Sequence, residues 1–371
     1  MIYLNTAASA FPRRQVALDA AMTSLGQPPG DNRNNSMGRA IEAHRQVVAN
    51  RFGVETGQIS FFSDATLALN VLAMAWANSP ERVIAYDNRS HNAVTRAVDE
   101  RMAKKAIVAG LWDRTTDVLC HAAVSDLCAL RPDVVFLTAT SNVTGTHYPV
   151  SEVITELRRH CPACIVVVDA AQRLGSGDAS ECLSADAVVF AGHKHLGAVP
   201  GCAIVVSSVE VPQVLFGGTG INSANARTQL EGRTITEVGT PNDPAVAAIA
   251  ATIEEVGVSN PIDVDSLNAL ASDLIAELEG RRLGRVISPK RSERAPIVSI
   301  IPRTGDPEAV WTPLLSRYDI VVRGGLHCSP VTYSSIAEPD GALRVSLGFS
   351  NTAGDLTQLI DACVEIDRTL S

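Results

Sequence analysis

Nowhere in the 371 residues is there a run of ~18 uncharged apolar residues, the length that a membrane span requires. The opening Met1 to Arg14 also lacks the basic start and apolar stretch of a secretion signal. A soluble, cytoplasmic chain with no membrane partner is the expectation. Lysine and arginine are scattered rather than clustered, and the formal net charge is -9. The basic footprint of a protein that grips phosphate backbones is missing, so nucleic acid is not an expected partner. Paired Cys-x-x-Cys motifs at zinc spacing are lacking too. Cys161 and Cys164 stand alone among eight irregularly placed cysteines, so no metal is expected and most thiols read as buried and inert. Low-complexity tracts and internal repeats are absent, which leaves a globular enzyme as the default class. With 46% hydrophobic residues the chain has room for about two to three domains.

The order of apolar patterns is more informative. Arg82 to Tyr86, Asp133 to Leu137, Ile165 to Val168, Ala187 to Phe190 and Ala203 to Val206 read as short buried strands. Met37 to Arg51, Leu67 to Ala77, Ser151 to His160 and Pro244 to Glu255 carry apolar residues at helical spacing. This alternation predicts an α/β fold with a mainly parallel sheet. After Ser259-Asn260-Pro261 a long helical pattern runs to about Leu278, followed by smaller alternations through Ile300, Val321 and Val345. A boundary near Asn260 follows, with a large domain at 14–258 and a smaller α+β domain at 259–371, against which 1–13 pack.

Ligands of open α/β sheets sit beyond the carboxyl ends of the strands. Ser63-Asp64-Ala65-Thr66 follows one strand and opens a helix, where backbone N–H groups and a hydroxyl can hold a phosphate. Thr140 to Gly145, Asp169-Ala170-Ala171-Gln172 and Ala191-Gly192-His193-Lys194-His195 follow three others. A carboxylate one strand before a lysine is the arrangement a pyridoxal ring needs. An ionised Asp169 would keep the ring nitrogen protonated, and Lys194, in an apolar strand-end segment, can present a neutral amine to the aldehyde. Taken singly, such an aspartate is commonly a cap and such a lysine merely solvated. Their joint order carries the signal.

The chain resembles the class V aminotransferase family, and within it the group II cysteine desulfurases and selenocysteine lyases. The resemblance runs from Tyr3-Leu4-Asn5-Thr6-Ala7-Ala8 through Asp64 to Asn70, Ser90-His91-Asn92 and Ser141 to Gly145. It continues in Asp169 to Gln172, Gly192-His193-Lys194, Gly217 to Gly220, Gly239 to Asn242, Val322 to Cys328 and Leu343 to Ser346. It implies a pyridoxal 5'-phosphate transferase of fold type I with the cofactor held as an imine on Lys194. It further implies that His91 stacks on the ring, Asn142 and Gln172 approach its phenolic oxygen, and Asp169 pairs with its nitrogen. Ala65, Thr66 and His193 would hold the phosphate, and Thr219 would reach the cofactor of a second subunit, which implies a homodimer. Three positions depart from the family pattern: Ala191 and Asp64, which would weaken phosphate binding, and Val238.

Substrate choice turns on Arg323 to Pro330. Cys328 on this Gly-rich loop is a candidate thiolate nucleophile, favoured by Arg323 or His327, where the alternative is a buried apolar cysteine. Arg344 offers a two-pronged grip on a carboxylate, with an ordinary salt bridge as the alternative. The expected reaction converts L-cysteine to L-alanine: freed Lys194 removes the Cα proton, His91 assists proton transfer, and Cys328 takes the sulfur as a persulfide for an acceptor protein. The short Cys328 to Arg344 stretch resembles a compact loop of modest activity without that acceptor. Another class V enzyme, an aminotransferase, epimerase or lyase, shares every cofactor residue, and a cofactor-binding docking scaffold is the reading from a different class.

Overall fold

Valine-rich strands with both faces apolar must be covered on both sides, and helices between them supply the cover. The computed structural model describes residues 1–27, 38–79, 81–102, 106–218, 237–259, 261–289 and 294–370. The chain opens with β1 (Ile2–Tyr3), α1 (Gln15–Leu25) and α2 (Gly38–Phe52). Alternation follows: β2 (Ile59–Phe62), α3 (Ala65–Trp76), β3 (Ile84–Asp87), α4 (Asn92–Met102), β4 (Ile107–Ala109), α5 (His121–Ala129), β5 (Val134–Thr138) and α6 (Val150–His160). Then come β6 (Ile165–Asp169), β7 (Ala187–Ala191), β8 (Ala203–Ser207) and α7 (Asp243–Val256). The remainder holds α8 (Val264–Gly280), β9 (Gly284–Val286), β10 (Ile297–Pro302), α9 (Pro307–Tyr318), β11 (Ile320–Val321) and β12 (Arg323–Gly325). It ends with α10 (Pro330–Ser335), β13 (Ala342–Ser346) and α11 (Ala353–Leu370).

The expected helices are α2, α3, α6 and α7, displaced by a residue or two, and Met37 lies outside the described residues. Caps explain the shifts. The Asp64 side chain accepts from Leu67 N and that of Asn242 from Ala245 N, so α3 and α7 start ahead of their first apolar periodic residue.

The large sheet has the order β2-β8-β7-β6-β5-β3-β4 and is parallel except at β8, which runs antiparallel to both neighbours. The mainly parallel α/β architecture expected from the alternation is therefore what the chain adopts. Successive residues of β5 enter different cores: Val135 and Leu137 join one side, Val134 and Phe136 the other. A third core gathers Leu4, α8, α9, α11 and the inner residues of β10 and β13. The antiparallel sheet there has the order β12-β13-β10-β9. The chain start joins this part: β1 pairs with β11 in parallel, and Asn5 bridges to Ser346. The boundary expected near Asn260 lies outside the described residues.

A buried ion pair ties the two parts together beside the strand ends. Arg89, whose side chain is fully buried, donates from Nε to Asp117 Oδ1 at 2.8 Å. Asp117 also accepts from Tyr148 Oη, Thr144 Oγ1 and Thr146 Oγ1 at 2.9, 2.8 and 2.6 Å. Arg89 reaches the Ser335 hydroxyl at the end of α10 as well. The turn Ser141 to Thr146 is thus fixed to the β3 end on one side and, through Gly145, to β10 on the other. Gly145 has φ +79°, and a Cβ there would lie 2.6 Å from Ile297 O. Asp117→Ala is expected to lower unfolding free energy by about 3–5 kcal/mol, because Arg89 is left charged and buried without its carboxylate. Urea denaturation measures this, and an unchanged midpoint contradicts it.

Candidate active site

Strands β5, β6 and β7 end side by side, with Thr138 in register with Asp169 and Asp169 with Val189. The segments leaving these ends converge on a cavity of about 270 Å³. Its lining includes Ala65, Thr66, His91, Asn142, Gln172, His193, Lys194, Arg323, Cys328 and Arg344, drawn from both parts of the chain. Asp169 is buried and does not line it, with Oδ1 accepting from Ala171 N at 3.0 Å. Thr219 lies outside the described residues.

Lys194 follows β7 in a tight turn closed by Gly197 N to Lys194 O and Ala198 N to Gly192 O. Burial pulls its amine down to about 8, with Arg344 acting in the same direction and Asp169 opposing. Burial also raises the Asp169 carboxyl, and the charge of Lys194 holds it back. The two groups therefore restrain each other's shifts.

Histidines around the amine are neutral. Desolvation, with Lys194 and nearby arginines adding to it, brings His91 to about 3. Its Nδ1 accepts from Ala93 N at 3.1 Å, which leaves the ring proton on Nε2. Burial brings His193 to about 4. Asp64 lines the cavity and caps α3: Oδ1 accepts from Leu67 N at 2.8 Å and Oδ2 from Ser63 Oγ at 3.0 Å. Ala65 and Thr66 stand at the helix N-terminus, where the first N–H groups have no intrahelical acceptor. Ala191 is fully buried in β7 away from the cavity, and Val238 lines a separate one of about 250 Å³.

The second part of the chain supplies cations and a thiol. Arg323 and Arg344 are register partners on β12 and β13. Arg344 is buried and donates from Nη1 to Asn142 O at 2.8 Å and from Nη2 to Asn5 Oδ1 at 3.3 Å, while Nε has no partner among the described residues. Burial lowers it to about 10. Cys328 is exposed, and its Sγ lies 3.7 Å from Arg323 Nη2.

His327 departs from the expectation that it helps the thiolate. Its ring is buried between Tyr333 Oη at 2.6 Å and Arg323 O at 3.1 Å, and burial holds it well below the ordinary histidine range. Arg323 supplies the positive charge. Asn142 and Gln172 are also partly committed to protein: Asn142 Nδ2 donates to His327 O at 2.8 Å, and Gln172 Nε2 to Ala7 O at 2.9 Å. Ala7 and Ala8 line the cavity and were not among the expected site residues. The signal available for them was the run of small residues following β1, which lets backbone approach a ligand closely.

A buried low-pKa amine, an adjacent carboxylate and a helix N-terminus at the carboxyl ends of a parallel sheet define a site for lysine-based chemistry on an anionic ligand. The chain belongs to the aminotransferase class-V family, whose model matches residues 2–359. It is 26% identical to a probable cysteine desulfurase of Vibrio cholerae over 387 aligned positions, covering 98% of this chain and 92% of the relative. Its fold is that of a cysteine desulfurase from Thermococcus onnurineus in the apo state, with a TM-score of 0.86, 20% identity, and 99% and 95% coverage. It also matches an Escherichia coli cysteine desulfurase in S-sulfonic acid form, with a TM-score of 0.85, 22% identity, and 100% and 95% coverage.

Amine-directed acylation of Lys194 in cofactor-free protein is expected to rise about tenfold per pH unit and level off above about 8. Asp169→Asn is expected to shift the plateau to lower pH, since the carboxylate favours the charged amine. Peptide mass spectrometry separates Lys194 from the three other lysines, and a plateau near pH 10.5, the ordinary lysine value, would contradict the assignment.

Proposed function

We propose that this protein is a pyridoxal-phosphate-dependent cysteine desulfurase that converts L-cysteine to L-alanine and holds the sulfur on Cys328 for an acceptor protein. The observation that carries the reading is that the Cys328 thiol lines the same cavity as Lys194, with Arg323 and Arg344 beside it. The names of the relatives point the same way. We also propose the division into a large domain at 14–258 and a small one at 259–371 that receives 1–13, and a homodimer through Thr219.

The residues fit the cofactor. Gln172 Oε1 is buried without a partner, and Lys194 offers an amine that is neutral above about pH 8. The first N–H groups of α3, with Thr66 and His193, would hold its phosphate, and the neutral ring of His91 would lie on its face. Asp169 would keep its ring nitrogen protonated, and a cation there would favour the ionised carboxylate. When bound, pyridoxal phosphate supplies an electron sink conjugated to the substrate amine.

The chain's own groups do the rest. Arg344 binds the substrate carboxylate, and its unpartnered Nε leaves one donor free for it. Lys194, as the neutral amine, takes the Cα proton. Cys328, as thiolate beside Arg323, attacks the substrate sulfur. An S–S bond forms, the Cβ–S bond breaks with its electron pair left on the carbon skeleton, and protonation there yields alanine. Sulfur delivery to an acceptor protein then regenerates the thiol.

With L-cysteine and a thiol reductant, the holoenzyme is expected to release alanine and sulfide in equal amounts. Cys328→Ser is expected to keep the substrate-induced spectral change and to lose at least 100-fold in alanine release, because a hydroxyl is a poor nucleophile toward sulfur. Alanine formation at the wild-type rate by that variant would overturn the reading, as would a keto-acid product without sulfide. Arg344→Lys is expected to raise KM by about 10–100-fold through loss of the forked hydrogen bond. An unchanged KM in steady-state assays removes Arg344 from substrate binding.

A further inference from the structure

The loop that bears Cys328 holds an unfavourable backbone conformation. His327 has φ +50° and Cys328 φ +58°, two consecutive side-chain-bearing residues in the left-handed region. Such a pair persists only where the surroundings over-determine it. Here one side chain bridges both flanks of the nucleophile. Asn142 Nδ2 donates to His327 O at 2.8 Å, and Asn142 Oδ1 accepts from Ser329 Oγ at 2.8 Å. The carbonyl of Cys328 itself accepts from Asn92 N at 2.8 Å.

Ser329 shows what this bridge displaces. It is the N-cap residue of α10 and fully buried, yet its side chain makes no capping bond to its helix. Serine at this position ordinarily caps. Its hydroxyl is turned to Asn142 instead.

We propose that Asn142 and Ser329 act together as positioning residues that hold Cys328 in its left-handed conformation, with the thiol beside Arg323 and facing the cavity. The clamp rests on the desulfurase reading for its catalytic consequence but not for its existence. Asn142 belongs to the β5 end and Cys328 to the second part of the chain. The amide therefore fixes the distance between nucleophile and Lys194 across the two.

The test is a double-mutant cycle on the holoenzyme with Asn142→Ala, Ser329→Ala and the double variant. Ser329→Ala removes no capping bond, so α10 keeps its own contacts. Amide hydrogen exchange in the peptide spanning 326–333 is expected to accelerate about tenfold in Ser329→Ala, and the double variant to go no further than Asn142→Ala. Alanine release by Ser329→Ala is expected to fall about tenfold in kcat, with KM within twofold of wild type. Wild-type exchange in Ser329→Ala, or additive effects in the cycle, overturns the clamp. A fall in kcat/KM carried by KM alone overturns the positioning role. If the wild-type enzyme yields no alanine, the desulfurase reading fails while the exchange cycle still decides whether the clamp exists.

Discussion

The register of three adjacent parallel strands governs this molecule. β5, β6 and β7 are buried on both faces, so their backbone groups find partners in one another and in the flanking β3 and β8. A slip of one residue would exchange the inward and outward sets of every strand, and the two cores that clasp the sheet forbid it. Asp169 closes β6 level with Thr138, and Lys194 follows β7 three residues beyond its last member. The carboxylate and the amine are neighbours because the sheet admits no other alignment.

Burial then sets the electrostatics. Desolvation pushes the buried groups of the cavity toward neutrality: Lys194, Arg344 and the histidines fall, and Asp169 rises. Even lowered to about 10, Arg344 keeps its charge at neutral pH. The result is a cavity of cationic character whose histidines are uncharged, suited to a ligand that brings a phosphate and a carboxylate. The Arg89–Asp117 pair does a separate job below the surface. It spends its hydrogen bonds on the turn that carries Asn142 and on the helix that follows Cys328, so two loops far apart in sequence share one anchor.

The sheet was legible because valine-rich runs between helical patterns have few other solutions; the strand-end motifs pointed to Asp169 and Lys194, and the family resemblance added His91 and Cys328. Less legible was how the polar side chains divide their bonds. Asn142 carries no mark in sequence that turns it toward the Cys328 loop, since its contact with His327 joins residues 185 apart. His327 looked like a basic neighbour of the thiol, but its ring packs against Tyr333, and only tertiary burial makes it neutral. Asp64, whose charge was expected to intrude on a phosphate site, does line the cavity, and its carboxylate also caps α3.

β1 pairs with β11, Asn5 bridges to Ser346, and Ala7 N donates to Ser346 Oγ at 3.0 Å. On a ribosome the amino-terminal segment is made well before those partners. At about 5–20 residues per second, roughly 15–60 s pass before residues near 320 have been made. The seven-stranded sheet, whose last strand ends at Ser207, is complete well before then. The pairing of β1 with β11 is therefore a late event of biosynthesis, whereas Ala7 and Ala10 can already meet Gln172 and His193 of the earlier part.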